Sequence, residues 1–500
     1  MDLNALPLDV PLLALYYSVL AVLALYGLHR SFLVWVYLRN LRRVPEPPPP
    51  EDWPGVTVQL PLYNERYVAQ RLIDAVCALD YPRERLEIQV LDDSTDDTRS
   101  LVAGAVEHYR SQGVNIHHLH RTDREGYKAG ALEAGLHQCA TDLVAVFDAD
   151  FIPPPHFLRK AVPHFQDPRI GMVQACWEHL NRRFSWLTRV QAVLLDGHFL
   201  IEHAARNRSG CFFNFNGTAG VWRRGAIEEA GGWQHDTLTE DLDLSYRAQL
   251  EGWKFLYLPE LKAPSELPVD IHGFKSQQHR WAKGSIQTGR KLLGRLLRAR
   301  LPLRVKAEAF VHLTNNVSYV LMFLLSLLVF PAMVARKEHL SNTLLWIDLP
   351  LFAAASGSVL VFYVASQVAR GGGWYRQLLV LPALMGLGIG LSVNNARAVL
   401  GGLIHRGGVF HRTPKYSIGE GGGEWRSKIY RAGRSAAVIL EGLLAVYLGV
   451  CLVIAIRWEM WLSLPFLYLF FHGYAYIFLL SVIGVGPRNP RPVAAVDLGG

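Results

Sequence analysis

Cysteine and charge are both scarce in this chain. Its five cysteines in 500 residues (Cys77, Cys139, Cys176, Cys211, Cys451) show no C-x-x-C spacing. That argues against a zinc cluster or a disulfide framework, and it suits a polar part facing a reducing cytoplasm. Charged residues make up 19% of the chain, and the net charge of +8 is not gathered into runs that would bind nucleic acid. Basic residues stand instead beside apolar stretches, as in NLRRV (40–44) and RKLLGRLLRARLPLRVK (290–306), the placement of cytosolic membrane flanks. A basic n-region is also missing. The chain starts Met1-Asp2, and no small-residue cleavage site follows the first apolar run, which therefore reads as a signal anchor rather than a cleaved leader.

Apolar residues, by contrast, are abundant. Half of the chain is hydrophobic, high for a soluble protein. Apolar stretches near 12–28, 309–334, 348–369, 377–404, 436–456 and 461–484 are each long enough to cross about 30 Å of hydrocarbon. The basic residues of YLRNLRR (37–43) put the domain after the first stretch in the cytosol. If 377–404 were a full span, the Arg- and Lys-rich segment after it would lie outside. Asn394, Asn395 and Arg397 would also be costly at the membrane midplane. Its second half is therefore expected to be an interfacial helix, leaving five true spans.

Between the first two stretches lies a globular region entered through a proline-rich tether, VPEPPPPEDWP. The apolar runs GVTVQL, EIQVLD, VNIHHL and DLVAVFD alternate with helical patterns, which predicts a parallel, doubly wound α/β sheet. Ligands bind such sheets at the carboxyl ends of the strands, and there the carboxylates collect: QLPLYNE, VLDDSTDD and VAVFDAD. DDSTDD alone could be a capping and turn cluster. Asp148 and Asp150, at i and i+2 on a strand, would share one face and repel unless a cation lies between them, which points to Mg²⁺ or Mn²⁺ and a diphosphate leaving group. A further acidic stretch, DTLTEDLD (236–243), could simply cap a helix at Thr239 and complement its dipole.

Four motifs then occur in order: DDS, DAD (Asp148, Asp150), TED (Thr239, Glu240, Asp241) and QQHRW (Gln277 to Trp281). Together they resemble the membrane-embedded family-2 glycosyltransferases of the cellulose synthase superfamily. FNFNGTAGVWRRGAIEEAGGW, LEGWKFLYLPELKAPSELP and QQHRWAKG look closest to the cellulose-synthase-like A and C proteins, which build mannan, glucomannan or β-1,4-glucan backbones.

The resemblance implies an α/β GT-A (Rossmann-like) cytosolic domain joined to an α-helical multi-span membrane domain, and it implies roles for single residues. Asp241 is the expected base, with Glu240 orienting it and Asp243 structural. Asp93, or failing it Asp92, would contact the nucleotide base together with Tyr63 and Glu65. Lys128, Arg280 and Gln277 would attend the donor diphosphate, for which a guanidinium is well shaped. Asp150 and Asp148 would hold the metal. Trp281 would offer a flat face to the acceptor sugar, although a buried interfacial aromatic is the alternative. Asn216, Gly217 and Thr218 would line the acceptor end, unless Gly217 marks only a tight turn. Phe410 and Thr413 match a gating loop of F-x-V-T form, with Arg412 in place of the usual Val; a Gly-rich connector is the plainer reading.

The expected organisation is a transmembrane helix and basic flank (1–43), the tether (44–54), the catalytic domain (55–285), an amphipathic interfacial helix (286–307), two transmembrane helices (308–369), an interfacial or re-entrant helix (376–404), a gating-like loop (405–435), two more transmembrane helices (436–484) and a disordered tail (485–500). A second amphipathic segment, 183–204, would also lie on the membrane face. The expected function is a processive inverting β-glycosyltransferase that makes a β-1,4-linked glucan or (gluco)mannan and passes it across the membrane. Its partners would be a nucleotide-sugar donor, a growing polysaccharide and the bilayer, with no nucleic acid. UDP-glucose is preferred over GDP-mannose as donor, and a bacterial inner membrane over a Golgi membrane. The rivals are a transferase adding one sugar to a lipid and a non-catalytic nucleotide-binding or transport protein.

Overall fold

The computed structural model describes residues 9–41, 45–339, 345–410, 412–419, 425, 428 and 437–483. The predicted tail (485–500) and most of the second half of the predicted gating loop fall outside them.

Seven strands form one sheet: β1 (Val56–Leu62), β2 (Leu86–Asp92), β3 (Ile116–His120), β4 (Leu143–Val146), β5 (Ile170–His179), β6 (Gly220–Arg223) and β7 (Lys254–Ser265), in the order β3-β2-β1-β4-β6-β5-β7. The first four strands are parallel, with Val58 opposite both Ile88 and Ala145. Their β-branched runs bury on both faces because helices cover both sides. The expected all-parallel sheet is corrected in one respect, since β6 runs antiparallel to both β4 and β5. Its short sequence, GVWR, carries too little pattern to reveal direction. The chain leaves β1 toward β2 and β3, then returns to place β4 on the other side of β1. That reversal opens a crevice at the carboxyl ends of β1 and β4.

The prolines of 45–54 do not form a free tether. Pro48 O accepts from Gln166 Nε2 (2.8 Å), and Pro54 O from the Tyr81 hydroxyl (2.6 Å), so the segment lies along the α/β domain.

Among the described residues, five helices are long and apolar enough to cross a membrane: Asp9–Arg39, Val317–Ala335, Ile347–Arg370, Ala437–Arg457 and Trp461–Ile483. Two further segments, Trp374–Gly390 and Ser392–Ile404, form a pair bent by 43°. Asn394 in the second segment is buried and donates to Lys275 O (3.0 Å), so protein rather than lipid receives its amide. The Ile271–Arg298 helix is unbroken through residue 285, where a domain boundary was expected. It joins the two halves: Lys275 Nζ reaches Glu441 Oε2 (2.6 Å) and Ser481 Oγ (2.8 Å), all three residues being buried. The 183–204 segment is a helix that turns to π geometry over Gly197–His203. Its apolar residues Leu187, Val190 and Val193 pack on Phe362, Tyr363 and Leu384, so that face meets the membrane helices.

Candidate active site

The carboxyl ends of β1 and β4, the start of the Glu240–Leu250 helix, the Ile271–Arg298 helix and the 410–415 loop enclose one cleft of about 160 Å³. Tyr63, Glu65, Asp93, Lys128, Asp148, Asp150, Asn216, Gly217, Glu240, Asp241, Gln277, Arg280, Trp281, Phe410 and Thr413 all line it. These residues come from stretches as far apart as 63 and 413. Two of the expected site residues are not among its walls. Asp92 is fully buried; its carboxylate accepts from Ser94 N (2.9 Å) and lies 2.9 Å from His118 Nε2. Thr218 is also fully buried, and its hydroxyl accepts from Asp148 N (2.9 Å), which positions the DAD segment.

The DAD pair is not within a strand, as its spacing suggested. β4 ends at Val146, and Asp148 and Asp150 follow in the turn beyond it, at the sheet edge that the crevice requires. Each carboxylate has an ammonium partner: Asp148 pairs with Lys128, and Asp150 Oδ2 lies 2.5 Å from Lys415 Nζ. Two hard carboxylate donors in a cleft lined by both acidic and basic side chains fit Mg²⁺ or Mn²⁺ bridging to phosphate oxygens. Among the described residues, one group of three or more possible ligands has its atoms mutually close, Asp92 with His118 and His120, and it is separate from the DAD pair.

The acidic stretch 236–243 divides into two parts. Asp236 and Asp243 are neutralised, the first by Lys291 (2.7 Å) and the second by Arg247 (2.8 Å) and Lys291 (3.1 Å). Glu240 and Asp241 instead face the cleft. Thr239 occupies the cap position without a side-chain capping bond, so the helix start is not stabilised in the way the sequence suggested. Burial first, then the neighbouring Glu240, pushes the Asp241 carboxyl up to about 7, against the pull of Lys128. Burial opposes the charge on Lys128, but Asp148, Glu240 and Asp241 outweigh it and raise the ammonium above its usual range. Gly217 is required as glycine. Its φ is +78°, and a Cβ there would lie 3.1 Å from Asp241 Oδ2 and 3.3 Å from Lys128 Nζ.

Phe410 and the 412–415 stretch reach into the site. Phe410 lies under the Arg280 guanidinium (4.5 Å to the ring centre), and Arg412 pairs with Glu65 (2.9 Å). Burial pushes the Glu65 carboxyl up to about 7 despite Arg412 and Lys415. Glu266 fastens the loop by accepting from Tyr416 N (2.8 Å) and Ile418 N (3.1 Å). Sequence reasoning missed Lys415, Glu266 and Arg124. Lys415 stands two residues beyond Thr413, where a basic residue in the expected gating loop was a usable signal. Arg124 lies over the Tyr63 ring at 3.3 Å, and nothing in DREGYK marked it. Also missed was a half-buried polar chain that begins in the π segment. Asn216 Oδ1 lies 3.0 Å from His198 Nε2, His198 Nδ1 is 3.1 Å from Glu202, and Glu202 is 3.3 Å from Arg206. Arg206 in turn binds Glu308 (2.8 Å), tying one wall of the cleft to the Leu303–Thr314 helix.

Residues 54–284 match the family model described as glycosyltransferase-like family 2. Glucomannan 4-beta-mannosyltransferase 1 of Oryza sativa subsp. japonica is 39% identical over 362 residues, covering 66% of this chain and 68% of that protein. The chain belongs to the family-2 glycosyltransferases. Glucomannan 4-beta-mannosyltransferase 7 of Arabidopsis thaliana is 38% identical over 371 residues, 72% of this chain and 64% of its own length. Across such relatives this family-2 chain spans about half to two thirds of their length. A mannosyltransferase from Pyrobaculum calidifontis, solved with GDP-Man and Mn²⁺, shares its fold: 20% identity, a TM-score of 0.52, and coverage of 77% of this chain and 99% of that one.

Proposed function

We propose that this glycosyltransferase extends a β-1,4-linked mannan or glucomannan by inverting transfer from GDP-mannose. The observation that carries the reading is the meeting of Asp241, Arg280, Trp281 and the DAD pair in one cleft. The preference for UDP-glucose finds no support among the relatives, whose names specify mannosyl transfer, and we set it aside.

Asp241 takes the proton of the acceptor hydroxyl as that oxygen attacks the anomeric carbon. Arg280 and Lys128 balance the charge that builds on the departing diphosphate. Asp148 and Asp150 would hold Mg²⁺ or Mn²⁺, which supplies further positive charge for that leaving group. Trp281 presents a flat surface to the sugar at the chain end, and Asp93 with Tyr63 serves the nucleotide base. Asp93 is already bound by Arg121 through two hydrogen bonds (2.8 and 2.6 Å), so its carboxylate is held in place.

For export, we propose the cavity of about 200 Å³ among the membrane helices as the product path. Leu194 lines that cavity while the adjacent Leu195 lines the cleft, and Tyr26, Arg30, Asn315 and Tyr319 give it polar walls. The catalytic domain then faces the cytosol.

The test is incubation of the purified full chain with radiolabelled GDP-mannose or UDP-glucose and Mn²⁺ or Mg²⁺, followed by digestion with linkage-specific hydrolases. A β-1,4-mannanase-sensitive polymer made from GDP-mannose is expected. A monoglycosylated lipid, with no high-mass glycan at saturating donor, would replace this reading with single-sugar transfer.

A further inference from the structure

A second large cleft, about 850 Å³, opens on the side of the catalytic domain where the Ile347–Arg370 helix ends. Five arginines line it (Arg182, Arg183, Arg189, Arg370 and Arg376), and Glu178 is the sole carboxylate among the lining residues. Arg182 and Arg370 are engaged by Asp196 (2.5 and 3.1 Å), and Arg370 also by Glu178 (3.2 Å). Arg183, Arg189 and Arg376 have no carboxylate partner among the described residues. Arg189 donates to Gln377 Oε1 (3.1 Å) and to the Arg376 carbonyl (3.3 Å), and three guanidiniums lining one cleft without a carboxylate partner make it attractive to an anion.

A second feature points into the same cleft. His179 lines it and is only 6% exposed, yet neither ring nitrogen has a hydrogen-bond partner among the described residues. Burial holds the imidazole down to about 3, so it is neutral and can donate one hydrogen bond as well as accept one. An orphaned buried imidazole is costly unless a ligand satisfies it.

The surroundings select the source of the anion. Trp186, Trp374 and Tyr375 are exposed at 45%, 38% and 57%, and Arg189 and Arg376 lie over the Trp186 and Tyr375 rings. Exposed tryptophan and tyrosine beside arginine at the end of a membrane-spanning helix mark the headgroup level of a bilayer. We propose that this cleft binds the phosphodiester headgroup of an anionic phospholipid, with Arg183, Arg189 and Arg376 on the phosphate and His179 on a phosphate or glycerol oxygen. The site is separate from the sugar-transfer cleft, and its test does not depend on activity.

The test is native mass spectrometry of the detergent-solubilised full chain titrated with phosphatidylglycerol or phosphatidylcholine, with inorganic phosphate as competitor. Each arginine near a membrane surface contributes about a fivefold gain in anionic lipid binding. The Arg183→Gln/Arg376→Gln variant is therefore expected to lose about 25-fold in phosphatidylglycerol affinity, with Arg183→Lys/Arg376→Lys keeping most of it. Nucleotide binding in both variants should be unchanged, which shows that they are folded. Equal retention of the two lipids, or full retention of phosphatidylglycerol by the glutamine variant, would overturn the proposal. Displacement by millimolar inorganic phosphate alone would do so too, because the ligand would then be a soluble anion.

Discussion

Asp241 offers the sharpest test, because its environment sets both the size and the pH dependence of its effect. An ordinary aspartate is fully ionised at pH 6. Asp241, pushed up to about 7 by burial and by Glu240, would be only about one-tenth ionised there. Moving it from its usual 3.8 to about 7 corresponds to about 4 kcal/mol against ionisation, a base made stronger by the site that holds it. The sign follows directly: the protonated form cannot accept the acceptor's proton, so activity is lost as pH falls through 7. A plot of kcat/KM for donor against pH should rise about tenfold per unit up to roughly pH 7 and level off above it. Asp241→Asn keeps the shape, deletes the base, and should cost about 10²–10⁴ in kcat while sparing nucleotide binding. Glu240→Gln removes a like charge and should move the acid limb to lower pH. The assay is incorporation of labelled sugar at limiting donor between pH 5 and 9, with calorimetric nucleotide binding alongside. A flat profile in the parent protein, or an Asn variant within tenfold of it, would refute the assignment.

Four other outcomes follow from the same geometry. Asp150→Ala should abolish the metal dependence of GDP binding, measured by calorimetry with and without EDTA; a parent protein that binds equally in both conditions would remove the metal role of the DAD pair. Trp281→Ala should shorten or abolish polymer while some donor hydrolysis survives, and Phe410→Ala/Thr413→Ala should slow every cycle, because a closing loop excludes water; size analysis of the product separates the two effects. Lys275→Met leaves Glu441 buried and unpaired and should destabilise the full chain by about 3–5 kcal/mol, whereas adding Glu441→Leu should restore most of it; an unchanged thermal midpoint in the single variant would mean the pair carries no load between the two halves.

The catalytic strands and most of the cleft were legible because the sheet imposes them. An apolar β-branched run has one way to lie in a parallel sheet, and its carboxyl end must be polar, so pattern alone brought QLPLYNE, VLDDSTDD and VAVFDAD to one sheet edge, while the parts given to Tyr63, Glu65 and Asp93 came from the resemblance. Asp92 was ambiguous for a reason internal to the strand. Neighbours in a strand point to opposite faces; Asp93 lines the cleft, whereas Asp92 lies buried beside His118 and His120. Choosing between them from sequence required knowing which face β3 would cover.

What escaped the sequence depends on contacts across hundreds of residues. Lys415 on Asp150, Arg412 on Glu65 and Lys275 on Glu441 join segments that no local period connects. The direction of β6 and the continuity of the Ile271–Arg298 helix are of the same kind. A four-residue strand and an amphipathic helix that passes from catalytic domain to membrane domain take their geometry from what they pack against. This continuity bears on mechanism as well. Gln277, Arg280 and Trp281 face the cleft from the helix on which Lys275 is held by Glu441 and Ser481 of two membrane helices, and His279 lies 3.2 Å from Asn394 O in the bent pair. Any shift of the bent pair or the last two apolar helices would therefore move Arg280 and Trp281 together. Under the proposed function, the same helix would link sugar addition to movement of the product.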